Sequence, residues 1–189
     1  MNNEEEASCY RQAVDRVRAG IGTNEDYVFI EARDKLRIEE IRARAPKYEL
    51  WLMDKGADCL RCWENEHFEP KGVEVEHLLL FASAYTISDI ENGGFIQFFE
   101  NSTGCLAPEA INGLKLMDAS PAAEVIIKAM QIFGSSYPRE RQIRVDKLLD
   151  RSSDAKLERL TDEFYEANQN FPEKVEQFYR QVVERVEKG

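Results

Sequence analysis

Apolar residues recur along most of this chain at intervals of three and four, which is the period of an amphipathic α-helix. The pattern is clearest from Ala122 to Phe133 and from Val175 to Val186. No segment shows a convincing alternation of apolar and polar residues, which is the pattern typical of a strand. The sequence therefore predicts an all-α fold, a compact irregular bundle of roughly eight to ten helices with no significant sheet.

Glycine, proline and polar clusters divide this pattern into separate helices. Thr23 with Asp26 resembles a capping box, Gly56 is expected to split one helix into two pieces, and Pro138 is expected to begin another. We expect one domain over residues 1–189, with a flexible acidic tail at 1–6 and two C-terminal helices in 151–189. The predicted helices cover residues 8–19, 27–45, 47–64, 73–90, 108–117, 121–133, 138–149 and 154–168, and the last begins at Phe171.

The predicted helix over residues 73–90 is apolar on nearly every side, so we expect it at the centre of the bundle. It leads into the glycine pair at 93–94, which predicts a sharp corner with a positive φ at one glycine or both. Phe95, Phe98 and Phe99 follow at i, i+3 and i+4, which places their rings on one helical face. We expect these rings to be buried.

The corner lies in a segment rich in Gly, Asn and Phe, for which the residues alone allow two interpretations. Its aromatic rings are typical of a structural corner held in the core, whereas Asn92, Gln97 and Asn101 are typical of a polar contact site. The candidate residues, named here the signature corner, are Asn92, Gly93, Gly94, Phe95, Gln97, Phe98, Phe99, Asn101, Ser102 and Gly104.

The order N-G-G-F, then Q-F-F and N-S-T-G, resembles the signature of a bacterial domain family of unknown function whose best-known member is a DNA-mimic protein. The resemblance covers about residues 70–150, including the segments 107–110 and 139–141. It implies an all-helical domain. It also implies, as a hypothesis for this chain, that the protein occupies the DNA-binding face of a basic partner such as a transcription factor.

Negative charge is concentrated around the signature corner. The net charge is −11, and residues 62–104 hold eight acids against one base, Lys71. A chain this acidic should be repelled by nucleic acid, so we predict a basic protein as partner, with a merely solvated acidic face as the alternative. The candidate partner-binding residues are Glu64, Glu66, Glu69, Glu74, Glu76, Asp89, Glu91 and Glu100.

Residues that could support catalysis or bind a metal are few. The spacing Cys59-x-x-Cys62 has no second pair of ligands at zinc-binding distance in the sequence, so we expect packed or surface thiols. Glu74 and His77 share a helical face, as in carboxylate metal bundles, but such sites need further carboxylates and a second pair. We therefore predict no catalytic residue, no metal and no cofactor.

The sequence shows no apolar run of membrane-spanning length and no signal-like segment, so we expect a cytoplasmic protein. Three function hypotheses remain. The first is an acidic interaction protein that mimics DNA. The second is a small-ligand or antitoxin/immunity-type binding module that uses the segment from Asn92 to Asn101. The third is a metal-dependent hydrolase built around Glu74 and His77. A monomer and a homodimer are both compatible with the sequence.

Overall fold

The computed structural model describes residues 3–65 and 73–188, which are helical and contain no strand. The predicted all-α fold is therefore confirmed. A 3-10 turn, Ser102–Leu106, joins α4 (Val75–Glu100) to α5 (Ala107–Leu116). A π-helical turn, Tyr179–Val183, joins α9 (Phe171–Phe178) to α10 (Glu184–Lys188). The helices are α1 (Asn3–Arg18), α2 (Asn24–Arg44), α3 (Lys47–Asn65), α4 (Val75–Glu100), α5 (Ala107–Leu116), α6 (Ser120–Met130), α7 (Arg141–Leu148), α8 (Asp154–Ala167), α9 (Phe171–Phe178) and α10 (Glu184–Lys188).

The chain divides into two compact units, Met1–Pro46 and Lys47–Gly189, so the single domain over 1–189 stays a prediction. In the first unit α1 packs against α2, whose start has the predicted capping box of Thr23 and Asp26. The Arg16 guanidinium and the Thr23 amide both bond the Asp26 carboxylate, and they hold its pKa well below the usual range. This network fixes the turn between the two helices.

The first helix begins earlier than predicted. Residues 3–6, expected as a flexible tail, form the first turn of α1. Glu4, Glu5 and Glu6 lie in that turn, where negative side chains interact favourably with the positive end of the helix dipole. The acidic residues from which a flexible tail was expected are therefore a helix-start signal.

α4 is the central helix of the second unit, as predicted. Its residues from Leu78 to Ser83 are buried one after another, so the helix is surrounded on every side. It packs against α3, α5, α7, α8 and α9. α5 approaches it closely, since a Cβ on Gly113 would lie only 2.6 Å from the Leu79 carbonyl oxygen. Burial of α4 holds the side chains that it carries in fixed positions.

Two predicted helix boundaries, at Gly56 and at Pro138, are wrong. Gly56 does not divide α3, which runs unbroken from Lys47 to Asn65. This glycine is buried because the Tyr85 ring of α4 packs so close that a Cβ would lie 3.0 Å from its hydroxyl oxygen. Pro138 does not begin a helix either, because it lies in an irregular segment and α7 starts at Arg141.

The glycine pair bends α4, as predicted. Gly93 has φ −160° and ψ 22°, and Gly94 has the left-handed φ of 70° with ψ −173°. Phe95, Phe98 and Phe99 after the bend are all fully buried, which confirms their expected place in the core. The backbone amide of Phe95 loses its helical partner at the bend and donates instead to Thr161 Oγ1 at 3.1 Å. The bend is therefore bonded to α8.

Replacing Gly94 with alanine should lower the free energy of unfolding by more than the about 1–3 kcal/mol that a residue with a side chain costs at positive φ and extended ψ. The excess is expected because the new Cβ would lie 2.9 Å from Thr161 Oγ1. Gly134→Ala is the matched control, since Gly134 has φ 90° and a Cβ added there would meet no atom within 4 Å. Urea unfolding followed by circular dichroism measures the free energy of unfolding of both variants. Equal losses of that free energy in the two variants would contradict the close contact at Thr161.

Candidate functional site

Five of the eight predicted acidic residues lie on or beside α4. Glu74 is the exposed N-cap residue, Glu76 is half-buried in the first turn, and Asp89 and Glu91 lie just before the bend. Glu100 is the last residue of the helix. The other three predicted positions, Glu66, Glu69 and the side chain of Glu64, lie outside the described residues.

Helix geometry arranges the four carboxylates before the bend as two pairs. Glu74 and Asp89 are fifteen residues apart, as are Glu76 and Glu91. Fifteen residues span about 22 Å along the axis and return to within about 60° of the same direction. Each pair therefore follows one side of α4, and the two pairs follow different sides.

The carboxylates next to the bend are held by hydrogen bonds. The Thr103 hydroxyl donates to Asp89 Oδ2, and the Asn168 amide donates to Glu91 Oε1 at 3.2 Å. Tyr165 donates its hydroxyl hydrogen to the Ile90 carbonyl oxygen at 3.1 Å and so bonds α8 to the same turn. Little side-chain freedom remains to be lost at these two positions when a partner binds.

Carboxylates of α8 extend the acidic surface beside the bend. A cavity of about 340 Å³ lies over Gly93 and is lined by Glu158 and Asp162 on the α8 side. Both side chains are exposed. Sequence reasoning missed them because charge was counted over long segments, and residues 105–189 hold fifteen acids against thirteen bases. Helical spacing could have found them, since Glu158 and Asp162 are four apart and Arg159 is rotated by about 100° from Glu158.

The amides of the signature corner do not converge at this cavity. Asn92 precedes the bend, whereas Asn101 is the C-cap residue at the far end of the helix, nine residues later. Gln97 lies against Gly93, where it occupies the space that a Cβ would need. The cavity is lined instead by the two α8 carboxylates, Thr161 and Tyr165, so the expected site of convergent amides is not assembled there.

The second half of the signature corner is bound by a segment from later in the chain. Tyr137 donates its hydroxyl hydrogen to the Gly104 carbonyl oxygen at 2.6 Å, and burial raises its pKa. Arg139 donates to the Cys105 carbonyl oxygen at 2.7 Å and forms a two-point ion pair with Glu109 at 2.5 and 2.8 Å. These contacts hold the 3-10 turn against residues 137–139.

Arg144 is the centre of this arrangement, and its role was not predicted. Its side chain is fully buried, and its guanidinium donates to the carbonyl oxygens of Phe99 at 2.9 Å and Asn101 at 2.7 Å. It also donates to the carbonyls of Pro138 at 3.2 Å and of Arg139. Removal from water lowers the pKa of Arg144 from its usual value.

Gly104 is a glycine because this guanidinium lies against it. A Cβ there would lie 2.7 Å from the Phe98 carbonyl oxygen and 2.9 Å from Arg144 Nε. The backbone of Gly104 does not have a positive φ, so close approach and not turn geometry explains the residue. The signature corner is therefore the backbone acceptor site of a buried arginine.

A groove lies at the opposite end of α4 from the bend. It has a volume of about 560 Å³ and is formed by the start of α4, the end of α5 and the face of α9 with the turn that follows it. Its walls are mostly apolar, with Glu76, Asp118 and Lys174 as the charged groups. The lining residues are Val75, Glu76, Leu79, Leu116, Met117, Asp118, Lys174, Gln177, Phe178, Gln181 and Val182.

The residues considered for a metal or thiol site are not assembled into one. His77 contacts the Trp51 ring with centroids 5.0 Å apart, and within residues 3–65 and 73–188 no three acidic, His or Cys side chains are grouped to hold a metal ion. Cys59 and Cys105 are buried, and the side chain of Cys62 lies outside the described part of the chain. No helix in that part is both long and apolar enough to cross a bilayer.

Comparison with protein-family models identifies the family to which the region with these features belongs. The family model for DMP19-like proteins matches residues 73–182, which is more than half of the chain. The chain belongs to the DMP19-like protein family. The DMP19-like region starts before α4 and ends after α9, so it extends beyond the 70–150 segment of the resemblance. No curated protein and no solved structure matches the chain.

The DMP19-like region contains most of the candidate residues. The whole signature corner, Arg144 and the α8 carboxylates lie within it, and so do the groove and the five described acidic residues. Glu64, Glu66 and Glu69 precede it. One family region therefore includes an acidic surface at the bend, an apolar groove at the other end of α4, and the buried arginine that holds the corner.

Proposed function

We propose that the DMP19-like region binds a basic DNA-binding protein through its acidic surface, in the place that DNA would take. The observation that supports the proposal is the set of carboxylates at the bend, where hydrogen bonds hold Asp89 and Glu91 and α8 adds Glu158 and Asp162. Membership of the DMP19-like family supports the same class of function. The proposal assigns binding to this region and no catalysis.

The rigid support of the carboxylates favours recognition by a DNA-binding protein over simple solubility. B-DNA carries about one negative charge per 1.7 Å of axis, and a protein can imitate it only by fixing carboxylates on a rigid support. Because α4 is buried for most of its length, carboxylates at its two ends keep their separation. The hydrogen bonds to Asp89 and Glu91 hold two of these side chains in place before any partner arrives.

Salt dependence is the property that the proposal predicts most directly. Pairing between opposite charges at an exposed surface weakens as salt screens it, over a distance of about 10 Å at 0.1 M ionic strength. A basic DNA-binding protein should therefore be captured from host lysate at low salt and released at high salt. Duplex DNA should compete with the immobilised chain for the captured protein, because both would occupy one binding face.

Reversing Glu74, Glu76 and Glu91 to lysine should lower the affinity of the captured protein by about tenfold or more and flatten its salt dependence. The matched control reverses Glu31, Glu39 and Glu40, three exposed acids of α2 in the other unit, and should leave binding unchanged. Circular dichroism checks that both variants fold. Binding that survives both high salt and the α4 reversal would refute the proposal.

A further inference from the structure

The groove at the start of α4 has an apolar floor with exposed apolar side chains at its rim. Phe178 and Leu79 are buried at its base, whereas Val75 and Leu116 at the rim are 56% and 65% exposed. Exposed aliphatic side chains beside an open apolar groove are typical of a surface that packs against another protein. Leu149 is also exposed but does not line this groove.

The shape of the groove favours a helix as its occupant. α9 and the turn after it supply Phe178 and Val182, one turn apart on the same face, and α5 ends opposite them at Leu116. A groove between helices receives the apolar side chains that an amphipathic helix presents at i, i+3 and i+4. A volume of about 560 Å³ has room for a few such side chains.

The charges around the groove select a basic occupant. Glu76 lines it, Glu74 is exposed beside it, and Asp118 marks the end of α5, where the helix dipole is also negative. Lys174 is the cation of the lining, and its ammonium donates to the Asp118 carbonyl oxygen at 2.6 Å. Lysine or arginine on the occupant would therefore meet Glu76 and Glu74, and acidic side chains would be repelled.

We propose that this groove receives an amphipathic helix of the basic partner, with aliphatic or aromatic side chains between Leu116 and Phe178 and flanking lysine or arginine at Glu76. The proposal rests on the proposed function, and it adds a second kind of contact. Carboxylates along α4 steer the partner, and the groove anchors it by burying apolar surface, which salt does not weaken.

The test selects phage-displayed helical peptides on the immobilised full chain and measures fluorescein-labelled copies of the winners by anisotropy. We expect apolar residues at i and i+3 or i+4 with adjacent lysine or arginine. Leu116→Gln should weaken these peptides by about tenfold at every salt concentration, as truncating an anchor does. Glu76→Gln should weaken them mainly at low salt.

Leu149→Gln is the matched control, because Leu149 is 70% exposed and does not line the groove. It should leave peptide binding unchanged. Selected peptides without the basic residues, no selected peptide at all, or equal binding by Leu116→Gln and the unmodified chain would each overturn the groove proposal. A chain dimer that Leu116→Gln dissociates would overturn it too, since a second copy would then cover the groove.

The same variants separate this proposal from the proposed function. Salt-sensitive capture of a DNA-binding protein that Leu116→Gln leaves unchanged would overturn the groove proposal alone. Peptides that require Leu116, combined with no salt-sensitive capture of a DNA-binding protein, would support the groove and refute mimicry through the acidic surface. Loss of capture in Leu116→Gln and also in Glu91→Lys, a single reversal away from the groove, supports the two together.

Discussion

Replacing Phe99 with alanine should lower the free energy of unfolding by about 3–5 kcal/mol, because a fully buried aromatic ring leaves a cavity that its neighbours cannot fill. Phe99 contacts the rings of Phe95, Phe98, Phe133 and Tyr137, with centroid distances of 5.8, 5.2, 4.9 and 6.0 Å. Its ring thus joins α4 to the segment after α6. Aromatic pairs of this kind contribute beyond their buried area.

Urea unfolding of the Phe99→Ala variant gives the measurement, with the slope against denaturant checked for two-state behaviour. Leu149→Ala is the control, since an exposed leucine should change stability by no more than about 0.5 kcal/mol. A loss below about 1 kcal/mol for Phe99→Ala would mean that the aromatic cluster does not hold the corner.

Replacing Arg144 with methionine should cost at least about 3 kcal/mol, since it leaves buried carbonyl oxygens without a donor. Four carbonyls accept from this guanidinium, those of Phe99, Asn101, Pro138 and Arg139. Methionine fills much of the volume but donates nothing. Arg144→Lys should lower the free energy of unfolding by less than Arg144→Met does, because an ammonium keeps the charge but loses the planar fork of donors.

The matched control for Arg144 is in the same helix. Arg141 donates to the Glu100 carbonyl oxygen at 2.5 Å from an exposed position, so Arg141→Met should change stability by about 0.5–1.5 kcal/mol at most. Chemical denaturation compares the three variants with the unmodified chain. Similar losses for Arg141→Met and Arg144→Met would contradict a special role for the buried guanidinium.

The parts of the fold that follow from local chemistry could be predicted. A helix apolar on all sides is buried in any arrangement of neighbours, and the glycine pair with phenylalanines at i, i+3 and i+4 predicts a bend beside a core face. The Thr23 and Asp26 box has the same origin in adjacent residues. None of these features depends on knowing which helices meet.

Features decided by distant contacts could not be predicted. Gly56 is of a residue type that often breaks a helix, and only the approach of Tyr85 makes it an interior helical residue. Arg144 stands among other charged residues, and nothing nearby shows that two of its acceptors lie 43 and 45 positions earlier. The acidic surface likewise depends on α8 meeting the bend, so counting charges along residues 62–104 found only part of it.

The distance in sequence between Arg144 and its acceptors has a consequence for how the chain is made. A growing polypeptide emerges from the ribosome in order, and the carbonyls of Phe99 and Asn101 leave the tunnel more than forty residues before the guanidinium that binds them. Until then water must satisfy them, and the phenylalanines beside them cannot be sealed from solvent. A translation pause in that interval would therefore prolong the exposure of these phenylalanines to solvent and favour aggregation.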